Sequence, residues 1–174
     1  GVYDDVVRAM ILAHKERRVL ALARPLGELL ATAVESAIAA EGRVRRAEAP
    51  VVLVPVPSRS SVVRARGHDP MLVVTRRAAA LVGERTECQV ARLLRLRAGV
   101  QDQSGLDAAQ RSANLAGSMA VRTAALRRLA ARHPQALVVV CDDVLTTGAT
   151  LREAQRALQS GGVPVLACAT IAAT

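Results

Sequence analysis

Aromatic side chains are almost missing from this 174-residue chain: it has no Trp and no Phe, and Tyr3 is its only Tyr. Proteins that bind single-stranded nucleic acid usually stack the bases on aromatic rings, so this composition disfavours that class. The hydrophobic core has to be aliphatic instead. Because 51% of the residues are apolar, we expect an ordered fold with a sizeable core over most of the length.

Cysteine pairs and long apolar runs are lacking too. Cys88, Cys141 and Cys168 are widely separated and show none of the close spacings of zinc or disulfide frameworks, which favours a reducing, cytoplasmic compartment. The most apolar stretch, residues 21–40, is interrupted by charged residues and a proline. It is therefore predicted to be a helix of a folded domain rather than a membrane span, and no membrane partner is predicted.

Lysine is scarce, since Lys15 is the only one among 24 lysines and arginines, yet the formal net charge is +9. Guanidinium groups match phosphate oxygens in nucleic acids, nucleotides and pyrophosphate alike. A composition rich in Arg and Ala also follows from a GC-rich genome, whatever the function. We therefore favour a generally basic surface over a dedicated duplex-binding face, and nucleic acid remains a compatible partner without specific support.

Helical and strand-like patterns alternate along the chain. Apolar residues at helical spacing, with capping residues and helix-stopping glycines, predict helices at 5–18, 25–40, 70–82, 107–114, 124–132 and 149–160. Apolar or alternating runs predict strands at 51–56, 90–97, 119–121, 137–141 and 163–171. This order predicts an α/β fold with a central, mostly parallel sheet and flanking helices. We expect a single domain, residues 1–174, in which 1–48 form an N-terminal helical segment and 49–174 form the α/β core.

The segment from Asp142 to Thr150 follows an apolar strand and leads into a helix. Ligands of open parallel sheets bind beyond the carboxyl ends of the strands. The adjacent carboxylates of Asp142 and Asp143 can accept hydrogen bonds from a sugar diol, while the hydroxyls and Gly148 at the helix start can hold a phosphate. Together they suit a ribose 5-phosphate. The alternative is that Asp142, Asp143 and Thr146 only cap the helix and solvate the loop, but the whole pattern favours a binding site.

The run 138–150 resembles the phosphoribosyl pyrophosphate (PRPP) signature of type I phosphoribosyltransferases. Two further patterns resemble the competence protein F family within that superfamily. The first is Val54-Pro55-Val56-Pro57 followed by Arg59, Arg64, Arg66, Gly67 and His68. The second is Leu94-x-Arg-x-Arg followed by Gln103, Leu106, Arg111 and Asn114. The resemblance covers nearly the whole chain and implies a type I phosphoribosyltransferase-like fold.

The resemblance also implies a role for each matching residue. The carboxylates that face the ribose hydroxyls and take part in catalysis would be Asp142 and Asp143. The 5-phosphate would be bound by Thr146, Thr147, Gly148, Ala149 and Thr150. The pyrophosphate would be bound by Ser58, Arg59 and Arg66. A flexible loop would carry Arg97, Gln103, Arg111 and Asn114. Mg²⁺ would arrive with the substrate, since hard oxygen ligands are what it prefers, and no separate protein metal site is predicted.

Several of these roles have a plain structural alternative. The Pro57 to Ser60 stretch also fits an ordinary turn between a strand and a helix, and residues 97–114 also fit a surface loop with a short helix. Lys15 is either a surface residue or a residue that lines the site. His68 is favoured as a polar residue at a helix start rather than a catalyst.

The reaction implied by the resemblance is transfer of the 5-phosphoribosyl group from PRPP to a nitrogen nucleophile, with release of pyrophosphate. The acceptor cannot be read from the sequence. Two alternatives stay open: a regulatory module that binds PRPP or a nucleotide without turnover, and a competence-type accessory protein for DNA uptake. A homodimer is compatible with the sequence, which does not determine the oligomeric state.

Overall fold

The computed structural model describes residues 4–41, 49–97 and 117–174. Its helices are α1 (Asp5–Glu16), α2 (Ala23–Ala40), α3 (Ser60–Arg66), α4 (Pro70–Val82), α5 (Thr123–Arg132) and α6 (Ala149–Ser160), and a 3-10 turn spans Leu20–Leu22. Its strands are β1 (Val51–Pro55), β2 (Cys88–Val90), β3 (Leu94–Leu96), β4 (Met119–Val121), β5 (Leu137–Leu145) and β6 (Val165–Ala173). The predicted helix at 107–114 and the loop before it lie outside the described residues.

Four strands form one parallel sheet in the order β2-β1-β5-β6. The short strands β3 and β4 pair separately as an antiparallel ribbon. The prediction of an α/β protein with a mostly parallel sheet and flanking helices is confirmed at this level. No helix in the described ranges is long and apolar enough to cross a membrane.

Both faces of the sheet are buried, and alternate residues of each strand serve opposite faces. Val51 and Leu53 of β1 pack into an aliphatic core with α1, α2 and α4. Val52 and Val54 pack into a second core with β3, β4, α5 and α6. The N-terminal helices therefore share a core with the sheet. In particular, Leu26, Leu30 and Val34 of α2 are fully or almost fully buried there.

The helix boundaries follow from local chemistry. The carboxylates of Asp4 and Asp69 cap α1 and α4 by accepting hydrogen bonds from Val7 N (2.8 Å) and Leu72 N (3.4 Å). Pro70 occupies the first turn of α4, where its missing N–H costs nothing. The predicted bounds of α4 and α6 agree with the structure.

Three elements differ from the sequence prediction. Strand β5 does not end at Cys141 but continues to Leu145, because β6 pairs with it out to Ala173. The strand expected at 90–97 is divided into β2 and β3, since the chain leaves β1 after Ala91 N bonds to Leu53 O (3.0 Å). Helix α3 occupies a stretch for which the sequence predicted no helix or strand, and it ends at Gly67, whose φ of 74° is in the left-handed region that favours glycine.

Candidate functional site

The adjacent parallel strands β1 and β5 bring Asp142 and Asp143 beside the segment that follows β1. Pro55 pairs with Cys141 in the register, and Val56 N donates a hydrogen bond of 2.9 Å to Cys141 O. The segment after β1, with Pro57 and Ser58, therefore lies at the same edge of the sheet as Asp142 and Asp143. This is the carboxyl edge, where parallel sheets bind ligands.

A cavity of about 370 Å³ opens at this edge, and we call it the carboxylate cavity. Five residues predicted for the site line it: Ser58, Arg59, Arg66, Asp142 and Asp143. Its apolar wall comes from α1, α2, α4 and β6, namely Ile11, Leu26, Met71, Val74 and Ile171. Lys15 lines it as well, in agreement with the site-lining interpretation of that residue.

The Asp143 carboxylate is held from two directions. Its Oδ1 accepts a hydrogen bond from Val144 N at 2.9 Å, and its Oδ2 contacts the Lys15 ammonium group. The side chains of Lys15 and Asp143 remain 37% and 20% exposed, so a ligand in the cavity can reach both.

Asp142 has a different environment from its neighbour. Burial raises its pKa to about 7, and the nearby Asp143 carboxylate contributes to that rise, while the backbone N–H of Asp143 (2.9 Å from Asp142 Oδ1) and Lys15 act in the opposite direction. Near neutral pH, one carboxyl group of the pair is therefore partly protonated in the ligand-free protein. Such a pair can both accept and donate hydrogen bonds to a ligand with hydroxyl groups.

Basic and hydroxyl side chains line the cavity together with the carboxylates. Arg66 Nη2 donates a hydrogen bond of 2.6 Å to Glu16 Oε1, which anchors α3 to the end of α1. Ser58 Oγ donates to Asp69 Oδ1 at 3.2 Å, so the residue that caps α4 also fixes the turn after β1. The cavity thus combines carboxylate acceptors with cationic and hydroxyl donors, an arrangement that suits a ligand with both hydroxyl groups and anionic groups.

The segment from Thr146 to Thr150 lies at the end of β5 and the start of α6, but it does not line the carboxylate cavity. Gly148 has a φ of 72°, and Ala149 N donates to Thr147 Oγ1 at 3.3 Å. The N-cap residue of α6 is Gly148, which has no side chain to cap the helix. A Cβ atom on Gly148 would lie 3.0 Å from Arg152 Nη1, so the glycine leaves room for a guanidinium group beside the helix start. The expected phosphate-binding segment therefore directly follows β5, whose Asp142 and Asp143 line the cavity, but it is not part of the cavity wall.

One buried polar residue of the site was missed by the sequence analysis. His14 lines the cavity and is only 1% exposed. Its Nδ1 forms a hydrogen bond of 3.2 Å with the backbone oxygen of Val19. Its ring lies 5.7 Å from that of His68, edge to face. The only signal was its position beside Lys15 on the apolar side of α1, where a histidine is usually a core residue.

Within the described part of the chain, no residue predicted for the flexible loop lines the cavity. Gln103, Arg111 and Asn114 lie outside the described residues. Arg97 is exposed just after β3, where its N–H donates to Ser118 O at 2.8 Å, and it does not line the cavity.

Comparisons with protein-family models and with curated proteins gave no match to this chain.

Proposed function

We propose that the protein binds PRPP with the type I phosphoribosyltransferase fold, and that it transfers the 5-phosphoribosyl group to a nitrogen nucleophile with release of pyrophosphate. The observation that carries this proposal is that the residues predicted to bind the ribose and those predicted to bind the pyrophosphate line one cavity. Asp142 and Asp143 line it together with Ser58, Arg59 and Arg66. A ribose with a pyrophosphate on C1 needs hydroxyl acceptors and a cationic pyrophosphate site close to each other.

The carboxylate pair supports the ribose half of the proposal. Two adjacent side chains at the carboxyl end of β5 offer oxygens to neighbouring hydroxyl groups, and the partly exposed Lys15–Asp143 contact leaves Asp143 accessible. The partly protonated Asp142 would ionise when a divalent cation or another positive charge arrives, because opposite charge lowers a carboxyl pKa.

The start of α6 supports the phosphate half. Its first backbone N–H groups carry the positive end of the helix dipole, and Gly148 adopts a backbone conformation that residues with a Cβ avoid. The 5-phosphate would lie there, with the hydroxyls of Thr146, Thr147 and Thr150 around it. The ribose would then extend from this segment to the carboxylate cavity.

Mg²⁺ takes oxygen ligands and usually completes its shell with substrate phosphates and water, so it would arrive bound to PRPP, and the carboxylates of Asp142 and Asp143 would compensate its charge. When bound, the cation would neutralise the departing pyrophosphate. The chain's own residues would orient the ribose, hold the pyrophosphate on Ser58, Arg59 and Arg66, and keep water from C1 with the apolar wall. Asp143 would stabilise the positive charge that develops on the ribose as the bond to pyrophosphate breaks.

A thermal-shift experiment tests the binding part of the proposal. PRPP with Mg²⁺ should raise the melting temperature, since a ligand at a hundred times its Kd stabilises the native state by about 2.7 kcal/mol. The variant Asp142→Asn/Asp143→Asn should fold but lose most of the shift. The control Glu84→Gln/Glu87→Gln removes two carboxylates that do not line the cavity, and it should keep the shift. A wild type that PRPP leaves unmoved would exclude both the transferase and a PRPP-binding module.

A pyrophosphate-release assay across purines, pyrimidines and simple amines then separates the transferase from a non-catalytic module. Release that depends on one class of acceptor identifies the transferase and its substrate. Binding without release for any acceptor favours the regulatory module. A short DNA duplex that binds tightly at physiological salt, while PRPP does not, would instead favour the DNA-uptake accessory function.

A further inference from the structure

One wall of the carboxylate cavity is aliphatic and buried. Five side chains from α1, α2, α4 and β6 form this apolar wall: Ile11, Leu26, Met71, Val74 and Ile171. None of them is more than 8% exposed, so the wall belongs to the protein core. The cavity volume of about 370 Å³ lies within the range of small-molecule pockets, about 300–1,000 Å³. The cavity can therefore take a compact apolar group besides the polar groups at the sheet edge.

His14 brings an unpaired polar atom to the same cavity. Its Nδ1 bonds to the backbone oxygen of Val19, which can only accept, so Nδ1 carries the hydrogen of the neutral ring and Nε2 is an acceptor. That Nε2 atom is buried and has no hydrogen-bond partner among the described residues. A buried acceptor without a partner costs free energy, and a ligand that donates an N–H hydrogen bond would recover it.

The apolar wall lacks the groups that usually recognise a polar nucleobase. Such a base is held by stacking and by hydrogen bonds to several atoms of its edge. In the described part of the chain, no Phe, Tyr or Trp lines the cavity, and the five side chains of the apolar wall have no N–H or O–H group. Extra ring nitrogens or carbonyl groups of a ligand would be buried against this wall without partners, which is unfavourable.

We propose that the apolar wall and His14 form a subsite for a compact, largely apolar nitrogen heterocycle that donates one N–H hydrogen bond to His14 Nε2. The role of this ligand as the acceptor of the phosphoribosyl group rests on the proposed function. Asp142 and Asp143 line the same cavity, so the heterocycle would share it with the ribose.

The group transfer balances with such an acceptor. A ring nitrogen uses its lone pair to form the bond to ribose C1. The bond from C1 to the pyrophosphate oxygen breaks, and its electron pair leaves with pyrophosphate. The proton of the ring N–H then passes to water.

Two ligands of the same shape test the preference for an apolar ring. Benzimidazole has one N–H group and a carbocyclic ring, and purine is the same bicycle with two ring C–H groups replaced by nitrogen. In isothermal titration of the full chain without PRPP, benzimidazole should bind at least about tenfold more tightly than purine, since purine buries two further acceptors without donors. Equal affinity, or tighter binding of purine, overturns the proposal.

A pair of valines in α4 locates the subsite. Val74 and Val82 are both 2% exposed and pack into the same core, but only Val74 lines the cavity. Val74→Thr and Val82→Thr each bury one hydroxyl group, so both should lose similar stability in urea unfolding. Only Val74→Thr should weaken benzimidazole binding, by about fivefold or more. Equal affinity of the two variants overturns the location.

The histidines supply a second matched pair. His14 and His68 each bond to a backbone oxygen through Nδ1 and each have a buried, unpaired Nε2, but only His14 lines the cavity. His14→Leu should weaken benzimidazole binding by about fivefold or more, whereas His68→Leu should keep it. Full affinity in a folded His14→Leu variant overturns the role of His14.

The thermal shift with PRPP and Mg²⁺ keeps this inference separate from the proposed function. Benzimidazole binding that depends on Val74 and His14 supports the subsite even if PRPP causes no shift, and in that case only the transfer reaction is lost. A normal PRPP shift together with no benzimidazole binding overturns the subsite and leaves the PRPP proposal intact.

Discussion

The Lys15 ammonium group on α1 contacts the Asp143 carboxylate on β5, although 128 positions of the chain separate the two residues. The contact joins the N-terminal helices to the carboxyl edge of the sheet. It also places the chain's only lysine beside the two acidic groups of the carboxylate cavity.

Replacing Lys15 should therefore expose the repulsion between the two aspartates. We expect Lys15→Met to lower the free energy of unfolding by about 0.5–1 kcal/mol at neutral pH, as for a partly exposed ion pair. In a double-mutant cycle with Asp143→Asn, measured by urea unfolding, the double variant should lose less than the sum of the single variants. Strict additivity would show that the contact contributes nothing to stability.

The titration of Asp142 should lower the free energy of unfolding as the pH rises. Its pKa is about 7 in the folded protein against an ordinary value of 3.8, so the folded state keeps a proton that the unfolded chain releases. The favourable contribution is complete below about pH 4 and is lost as the pH rises to about 7.

Asp142→Asn removes this titration without changing the size of the side chain. Each pKa unit corresponds to about 1.4 kcal/mol, and relaxation around the charge reduces the total, so we expect the variant to be more stable than wild type by about 2 kcal/mol near pH 8 and equal near pH 4. Unfolding curves at a series of pH values provide the measurement. A difference that does not vary with pH would contradict the assigned environment.

Gly148→Ala tests whether the start of α6 is a ligand site or only a tight turn. The left-handed backbone at Gly148 should make alanine cost about 1 kcal/mol of stability. Gly162→Ala is the matched control, because Gly162 has a φ of 80° and lies just beyond the end of α6, where an added Cβ would meet nothing within 4 Å.

Both glycine variants should lose similar stability in urea unfolding, but only Gly148→Ala should lose the thermal shift produced by PRPP and Mg²⁺. Its added carbon would occupy space at the proposed phosphate position. If the two variants keep equal shifts, the phosphate does not lie against Gly148.

Glu153 joins α6 to the β3–β4 ribbon from a position that is only 4% exposed. It accepts hydrogen bonds from Met119 N (2.9 Å) and from Arg156 Nε (2.6 Å) and Nη2 (2.7 Å). Burial alone would raise its pKa, but the Arg156 guanidinium and the backbone N–H groups of Met119 and Gly117 outweigh burial and lower it below the ordinary value.

Glu153→Gln should cost about 2–3 kcal/mol of stability, because it leaves a buried network with one charge missing. The matched control Glu35→Gln breaks the exposed pair with Arg85 and should cost less than about 1 kcal/mol. The lowered pKa adds a second expectation. The stabilisation by Glu153 should be present above its ordinary pKa and disappear as the pH falls through the folded value, so the two proteins should converge in acid. Equal costs for the two variants at neutral pH would contradict the role of Glu153.

Local sequence patterns determined the class of the fold and the edge where the site lies. Alternating helical and strand patterns predicted the parallel sheet, and Pro70 and Gly161 marked helix boundaries correctly because these effects act within one turn. The carboxyl-edge rule predicted Asp142 and Asp143 at the ligand-binding edge, whereas the pairing of β1 with β5 that brings Ser58 beside them comes from the structure.

Only the tertiary structure decided how β5 ends, which residues meet the aspartates and where the arginines converge. Strand β5 continues through Asp142 and Asp143 because β6 supplies hydrogen-bonding partners there, and the polar sequence carries no sign of that pairing. Lys15 and His14 reach the cavity because α1 packs on the sheet, while Arg64, Arg92, Arg95 and Arg122 come together around a second, smaller cavity from separate parts of the chain. Such contacts join residues far apart in the chain, and their geometry depends on how whole helices and strands pack rather than on any local periodicity.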